Sequence, residues 1–142
     1  MLSKEHNDLI TLTGPGTKGG DLLRRYWQPV ALSAELAADV PLPVKIMGED
    51  LVLFRDDRGK PALVGRHCPH RGVDLSYGRV EDGGLRCLYH GWLISGAGQC
   101  LDQPGEPAGS TFKDKVRHTA YPCFEAGGVV MTYMGRRAQR AS

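Results

Sequence analysis

At 142 residues and a net charge of +2, the chain has the size of one domain, and its Lys and Arg residues form no aromatic-interleaved basic stripe, which argues against nucleic acid as a partner. No apolar run is long enough to span a bilayer, and the opening MLSKEHNDLI lacks the apolar stretch and small-residue cleavage pattern of a signal peptide. A soluble, cytoplasmic protein with no membrane contact is therefore expected.

Nineteen Gly and nine Pro in a sequence that is 41% hydrophobic point to short strands joined by many turns. Residues 1–18, with TGPGT at 13–17, read as an irregular lead-in. Asp21 is placed to cap a short helix over residues 21–27, which Pro29 ends by disfavouring helical geometry at Gln28. Leu22, Leu23, Tyr26 and Trp27 would bury one side of it, and residues 33–36 suit one further turn. From Val44 the pattern changes to strands: VKIM and LVLF are split by Gly48-Glu49-Asp50, and Asp56-Asp57-Arg58-Gly59 marks a hairpin. PALVG follows and leads into Cys68. Asp82-Gly83-Gly84 and Ser95-Gly96-Ala97-Gly98 mark two more turns. Residues 102–114 hold Pro104, Gly105, Pro107 and Gly109 and read as a loop. Two closing strands, near 116–121 and 129–133, flank Glu125-Ala126-Gly127-Gly128.

Four residues stand out by spacing. Cys68 and His70 form Cys-X-His, sixteen residues intervene, and Cys87 and His90 form Cys-X-X-His. A Rieske 2Fe-2S centre needs this donor set, because one iron keeps two Cys while two His replace Cys on the other. Pro69, Gly72 and Gly91 suit tight ligand loops. The alternative is a zinc-stabilised, non-redox binding module, but zinc sites usually pair Cys with Cys and His with His at their short spacings. With two cysteines committed, Cys100 and Cys123 remain and are expected reduced and buried rather than disulfide-bonded.

The run CPHRG, followed by GLRCLYHGW, closely resembles the Rieske domain of aromatic ring-hydroxylating oxygenase large subunits of the phthalate dioxygenase type. LLRRYWQPVALSAEL at 22–36, GEDLVLFRD at 48–56 and the later PGEP, FKDKV and YP segments extend the resemblance over roughly residues 12–135. It implies an all-β, antiparallel sandwich or small barrel, with a short N-terminal helix and two cluster-binding loops at one end. The expected organisation is a lead-in over residues 1–43, the cluster-binding domain over 44–135 and a basic tail over 136–142. The same resemblance implies ligation by His70 and His90 through Nδ1 and one-electron transfer. The donor would be a flavin- or iron-sulfur-containing reductase, and the acceptor an oxygenase catalytic domain or another redox acceptor.

An oxidised cluster with two thiolates and two neutral imidazoles carries no net charge, which makes it easier to reduce than an all-Cys cluster. Respiratory Rieske proteins add a disulfide between the loops and a Ser after the second; here Val73, Tyr89 and Trp92 stand there. The potential is therefore expected at the low end, roughly −150 mV. Arg71, Tyr89 and Trp92 are candidates for the surroundings of the cluster: Tyr89 and Trp92 either pack under the loop or shield it, and Arg71 either braces the loops or faces a partner. After His90 the only His is His118. A triad of two His and one carboxylate for mononuclear iron is thus not expected from these residues, and neither is a complete oxygenase site.

Overall fold

The structure is a computed structural model and describes residues 1–136; the expected basic tail beyond Arg136 lies outside the described residues. The lead-in is more regular than its composition suggests. Helix α1 spans Lys4–Thr11, because the Ser3 hydroxyl accepts the His6 N–H, Glu5 sits in the first turn, and Lys4 pairs with Asp8 at 2.7 Å. Helix α2 spans Lys18–Leu23 rather than residues 21–27. Thr17, not Asp21, is its cap, accepting the Gly20 N–H at 3.1 Å.

The strands are β1 (Gln28–Leu32), β2 (Leu42–Ile46), β3 (Glu49–Arg55), β4 (Pro61–Gly65), β5 (Arg79–Glu81), β6 (Gly84–Arg86), β7 (Leu93–Ser95), β8 (Cys100–Asp102), β9 (Ala120–Tyr121), β10 (Cys123–Ala126) and β11 (Val129–Thr132). They form three antiparallel sheets, ordered β1-β11-β10, β2-β3-β4-β9 and β5-β6-β7-β8. The all-β expectation is met. Several differences are local: β1 and β10 form where no strand was expected, the strand expected near 116–121 is only Ala120–Tyr121, and Leu22, Leu23 and Tyr26 are exposed rather than buried along one side of a helix. Met47 and Gly48 both take positive φ, 46° and 78°, and make a two-residue turn, which frees Glu49 and Asp50 to open β3. Within the stretch read as a loop, Phe112–Lys115 forms a 3-10 turn.

The LVLF run of β3 is apolar on both faces because both faces are covered. Val52 and Phe54 join Val64, Leu75, Leu85 and Ile94 in one core, while Leu51 and Leu53 join Leu36, Leu63, Val130 and Met134 in another. The first core also takes in Cys68, Cys87 and Trp92, so it forms the floor beneath the candidate ligands. Arg55 closes the second region from outside. It pairs with Glu125 at 2.5 Å and donates to the carbonyls of Leu36 and Ser33 at 3.1 and 3.2 Å, tying β3 to β10 and to the turn after β1.

The hydrogen bonds from Arg55 and Ser33 hold the Glu125 carboxyl at about 2. Its folded value thus lies below the unfolded one, so the stability it adds is present above about pH 4.3 and is lost as pH falls toward the folded value. Glu125→Gln should be less stable than the parent at neutral pH and approach it at about pH 2. Urea midpoints measured along that range check this; an equal deficit at both ends would refute it.

Candidate metal centre

Strands β4 and β6 each run into a tight loop, and the two loops are closed by the same backbone bonds. In the first, the Cys68 N–H donates to Val73 O and the Gly72 N–H to Cys68 O, both at 2.8 Å. In the second, the Cys87 N–H donates to Trp92 O at 2.8 Å and the Gly91 N–H to Cys87 O at 3.1 Å. Each turn reverses at a glycine with positive φ, 74° at Gly72 and 77° at Gly91, where an L side chain would be strained. The wider chain gap in the second loop, Cys-X-X-His against Cys-X-His, is absorbed within the same hydrogen-bonded frame.

Arginines brace both loops from outside. Arg66 donates through Nε to Asp74 at 2.8 Å, Asp74 accepts the Ser76 N–H at 2.8 Å, and Leu75 N–H returns to Arg66 O at 2.7 Å. The Arg66 guanidinium holds the Asp74 carboxyl at about 2. Arg86 plays the matching part, pairing with Glu81 and with Asp102 at 2.9 Å and donating to Gly91 O at 2.7 Å. Arg66, Asp74, Arg86 and Asp102 were not singled out by sequence reasoning. The signal was an Arg shortly before each Cys, but their acidic partners Asp74, Glu81 and Asp102 lie 8, 5 and 16 residues away.

The four candidate ligands divide by burial. Cys68 and Cys87 are 3% and 4% exposed and neighbour one another, whereas His70 and His90 are exposed, with ring centroids 4.7 Å apart. Burial pushes the Cys68 thiol up, and the backbone N–H groups of His70 and Arg71 oppose this. Desolvation holds the His70 imidazole down, helped by the nearby His90 and Arg71 charges. Among the described residues no three His, Cys, Asp or Glu side chains gather around one cation position. A thiol pair beside an imidazole pair fits a two-iron cluster, whose donors are shared between two metals, better than one tetrahedral zinc.

Trp92 is 8% exposed and lies flat on His70, with centroids 4.5 Å apart and planes within 10°; Phe112 meets its edge at 5.8 Å. Tyr89 does not pack under the loop. It is 59% exposed and lies against the exposed His90 ring, centroids 3.9 Å apart. Arg71 is exposed as well. A cavity of about 350 Å³ opens beside the imidazoles, lined by Pro69, His70, His90, Trp92, Glu106 and Phe112. Cys100 and Cys123 are free thiols; Cys100 is buried in the floor, and Cys123 is part-buried with burial pushing it to about 11.

Residues 26–125 match the family model of the Rieske [2Fe-2S] domain. The chain is 49% identical over 138 residues to the 5,5'-dehydrodivanillate O-demethylase oxygenase subunit of Sphingobium sp. (strain NBRC 103272 / SYK-6), covering 95% of this chain and 32% of that one. It is 52% identical over 126 residues to phenoxybenzoate dioxygenase subunit alpha of Ectopseudomonas oleovorans, covering 89% and 31%. The crystal structure of dicamba monooxygenase with non-heme iron and dicamba superposes with a TM-score of 0.74 at 30% identity, over 83% of this chain and 35% of that one. The chain thus spans about a third of the length of these relatives.

Gly72→Ala and Gly91→Ala both force an alanine into the left-handed region, at a cost of about 1–2 kcal/mol each. A Cβ at Gly72 meets nothing within 4 Å, whereas one at Gly91 lies 3.1 Å from the Pro104 ring. Gly91→Ala should therefore lower the melting temperature more than Gly72→Ala. Equal losses would show that the Pro104 contact yields freely.

Proposed function

The chain belongs to the Rieske [2Fe-2S] domain family, and from that premise we infer that Cys68 and Cys87 hold one iron of the cluster while His70 and His90 hold the other. The observation that carries the assignment is the placement of these residues on two loops with the same backbone frame, thiols inward and imidazoles outward. When bound, the cluster takes up and gives back one electron.

The protein's own groups set the conditions for that exchange. The N–H groups of His70 and Arg71 aim at the Cys68 sulfur and favour its charged form. The buried floor keeps water from the thiolates, and Trp92 covers one face of the His70 ring. The imidazole edges, left exposed, are where an electron enters and leaves. The donor is a reductase carrying flavin or an iron-sulfur centre, and the acceptor is an oxygenase catalytic domain. Relatives that are oxygenase subunits support this reading. Arg71 and Tyr89, exposed beside the imidazoles, meet the partner, and Trp92 shields the site.

Cys68→Ser and Cys87→Ser should each abolish the broad visible absorption of the iron-sulfur chromophore, while Cys100→Ser and Cys123→Ser retain it. Absorption spectra with iron and acid-labile sulfide analysis make the comparison. A folded Cys100→Ser protein that has lost the chromophore would overturn the ligand assignment, and a colourless zinc-loaded parent would overturn the function.

A further inference from the structure

One buried polar group has no partner in the region beneath the metal loops. Among the described residues Gln103 and Thr132 are the buried polar side chains, and the Thr132 hydroxyl donates to Pro122 O at 3.0 Å. Gln103 differs: it is 6% exposed, and its Nε2 is buried with no hydrogen-bond acceptor. Arg24 Nε also lacks one, but that guanidinium is engaged by Glu49 at 2.6 Å. A buried donor without an acceptor costs stability, and an apolar side chain of the same size avoids that cost. An amide kept in this place therefore suits an acceptor that the polypeptide itself does not supply.

The fold sets Gln103 beside the second metal loop. The Cys87 N–H donates to Trp92 O, Arg86 faces Leu93, and Leu93 faces Asp102, so one further step of the register brings Gln103 next to Trp92. Its backbone is fastened on both sides. Asp102 pairs with Arg86 at 2.9 Å, and a Cβ at Gly91 would stand 3.1 Å from the Pro104 ring. The Gln103 carbonyl accepts the Glu106 N–H at 3.0 Å and closes the turn that follows. Cys100 gives the direction of the side chain. Burial pushes that thiol up, while the Asp102 backbone and the Gln103 amide oppose the rise, so the amide faces the sulfur without closing a bond to it. Cys100 shares one buried cluster with Cys68, Cys87 and Trp92. Leu85 and Ile94 of that cluster offer no acceptor, and a water molecule held there would need about two to four polar partners.

We propose that the Gln103 side chain is a hydrogen-bond donor to the bound cluster, giving its amide N–H to a sulfur on the Cys87 side and favouring the reduced state. The inference rests on the ligand assignment above. Its sign follows from charge. One electron takes the cluster from no net charge to a single negative charge, so its sulfurs accept more strongly once reduced. A hydrogen bond to a charged acceptor is stronger than one to a neutral acceptor, and loss of the donor makes reduction harder.

The test is an EPR-monitored redox titration of the cluster-loaded chain and of Gln103→Met, which keeps the length of the side chain and removes the donor. The reduction equilibrium of the variant should shift about tenfold toward the oxidised form, about 59 mV lower in potential. A second measurement needs no variant to fold: with an isotopic nitrogen label in the glutamine side chains, pulsed EPR of the reduced parent should show a coupling to that nitrogen. Gln103→Met should remove the coupling, which separates Gln103 from the other glutamines. A cluster-loaded Gln103→Met protein with an unchanged potential, or a reduced parent without the coupling, would overturn the proposal and leave the amide to a buried water. A colourless parent refutes the ligand assignment instead, so the two failures are told apart on the same samples.

Discussion

Each candidate cysteine has its own amide and carbonyl engaged within its own turn, and the rest of the site follows from that constraint. The bonds Cys68 to Val73 and Cys87 to Trp92 close both loops through their own backbone. The loops leave strands of different sheets, however. What sets one thiol beside the other is therefore the packing between those sheets. Val64 from β4, Leu85 from β6 and Ile94 from β7 are fully buried in the shared floor, each worth roughly 1.5–3 kcal/mol of burial. Precision at the site is thus inherited from an apolar core, as a centre with two ligands per loop requires.

The charged braces complete this logic from the rim. Arg66 and Arg86 each reach a carboxylate and lie next to a backbone position that must not move: Leu75 N–H on Arg66 O in one case, Gly91 O on the Arg86 guanidinium in the other. A guanidinium suits the task because its planar fork engages two acceptors at once, which a lysine ammonium does with less geometric control. The Arg86 side chain is largely buried, so its bonds are screened less than those of an open surface pair.

The motif and most strands were legible because both depend on local signals. The Cys-X-His and Cys-X-X-His spacing names the donor set, and Asp82-Gly83 gives two positive φ values, the mark of a tight hairpin. Helix α1 was missed because Gly and Pro at residues 14–16 weighed on the whole lead-in, while the Ser3 cap and the Lys4–Asp8 pair are small terms. The start of α2 was misplaced because Thr17 and Asp21 are both competent caps, and choosing Thr17 needs the close approach of Gly20 to the chain before it. Tyr89 could not be oriented from sequence. Residues of one turn can face opposite ways, and here Tyr89 is exposed while Trp92, three residues on, is buried. Asp102 was invisible as a brace because its link to Arg86 depends on the pairing of β6, β7 and β8.

The division between a buried thiol side and an exposed imidazole side gives the site a direction. On the inner side the thiols belong to the same buried apolar cluster as Val52, Leu75 and Ile94. On the outer side Tyr89, Leu88 and Phe112 stand exposed near the imidazoles of His70 and His90. A partner that covers this rim removes water from the imidazoles and from the aromatic groups in one step, so contact and electronic access are gained together. Solvent alone gains neither, because the thiols remain shut behind the core. An electron carrier needs that asymmetry: open at the edge where exchange with a chosen partner occurs, and closed elsewhere by packing that never has to open.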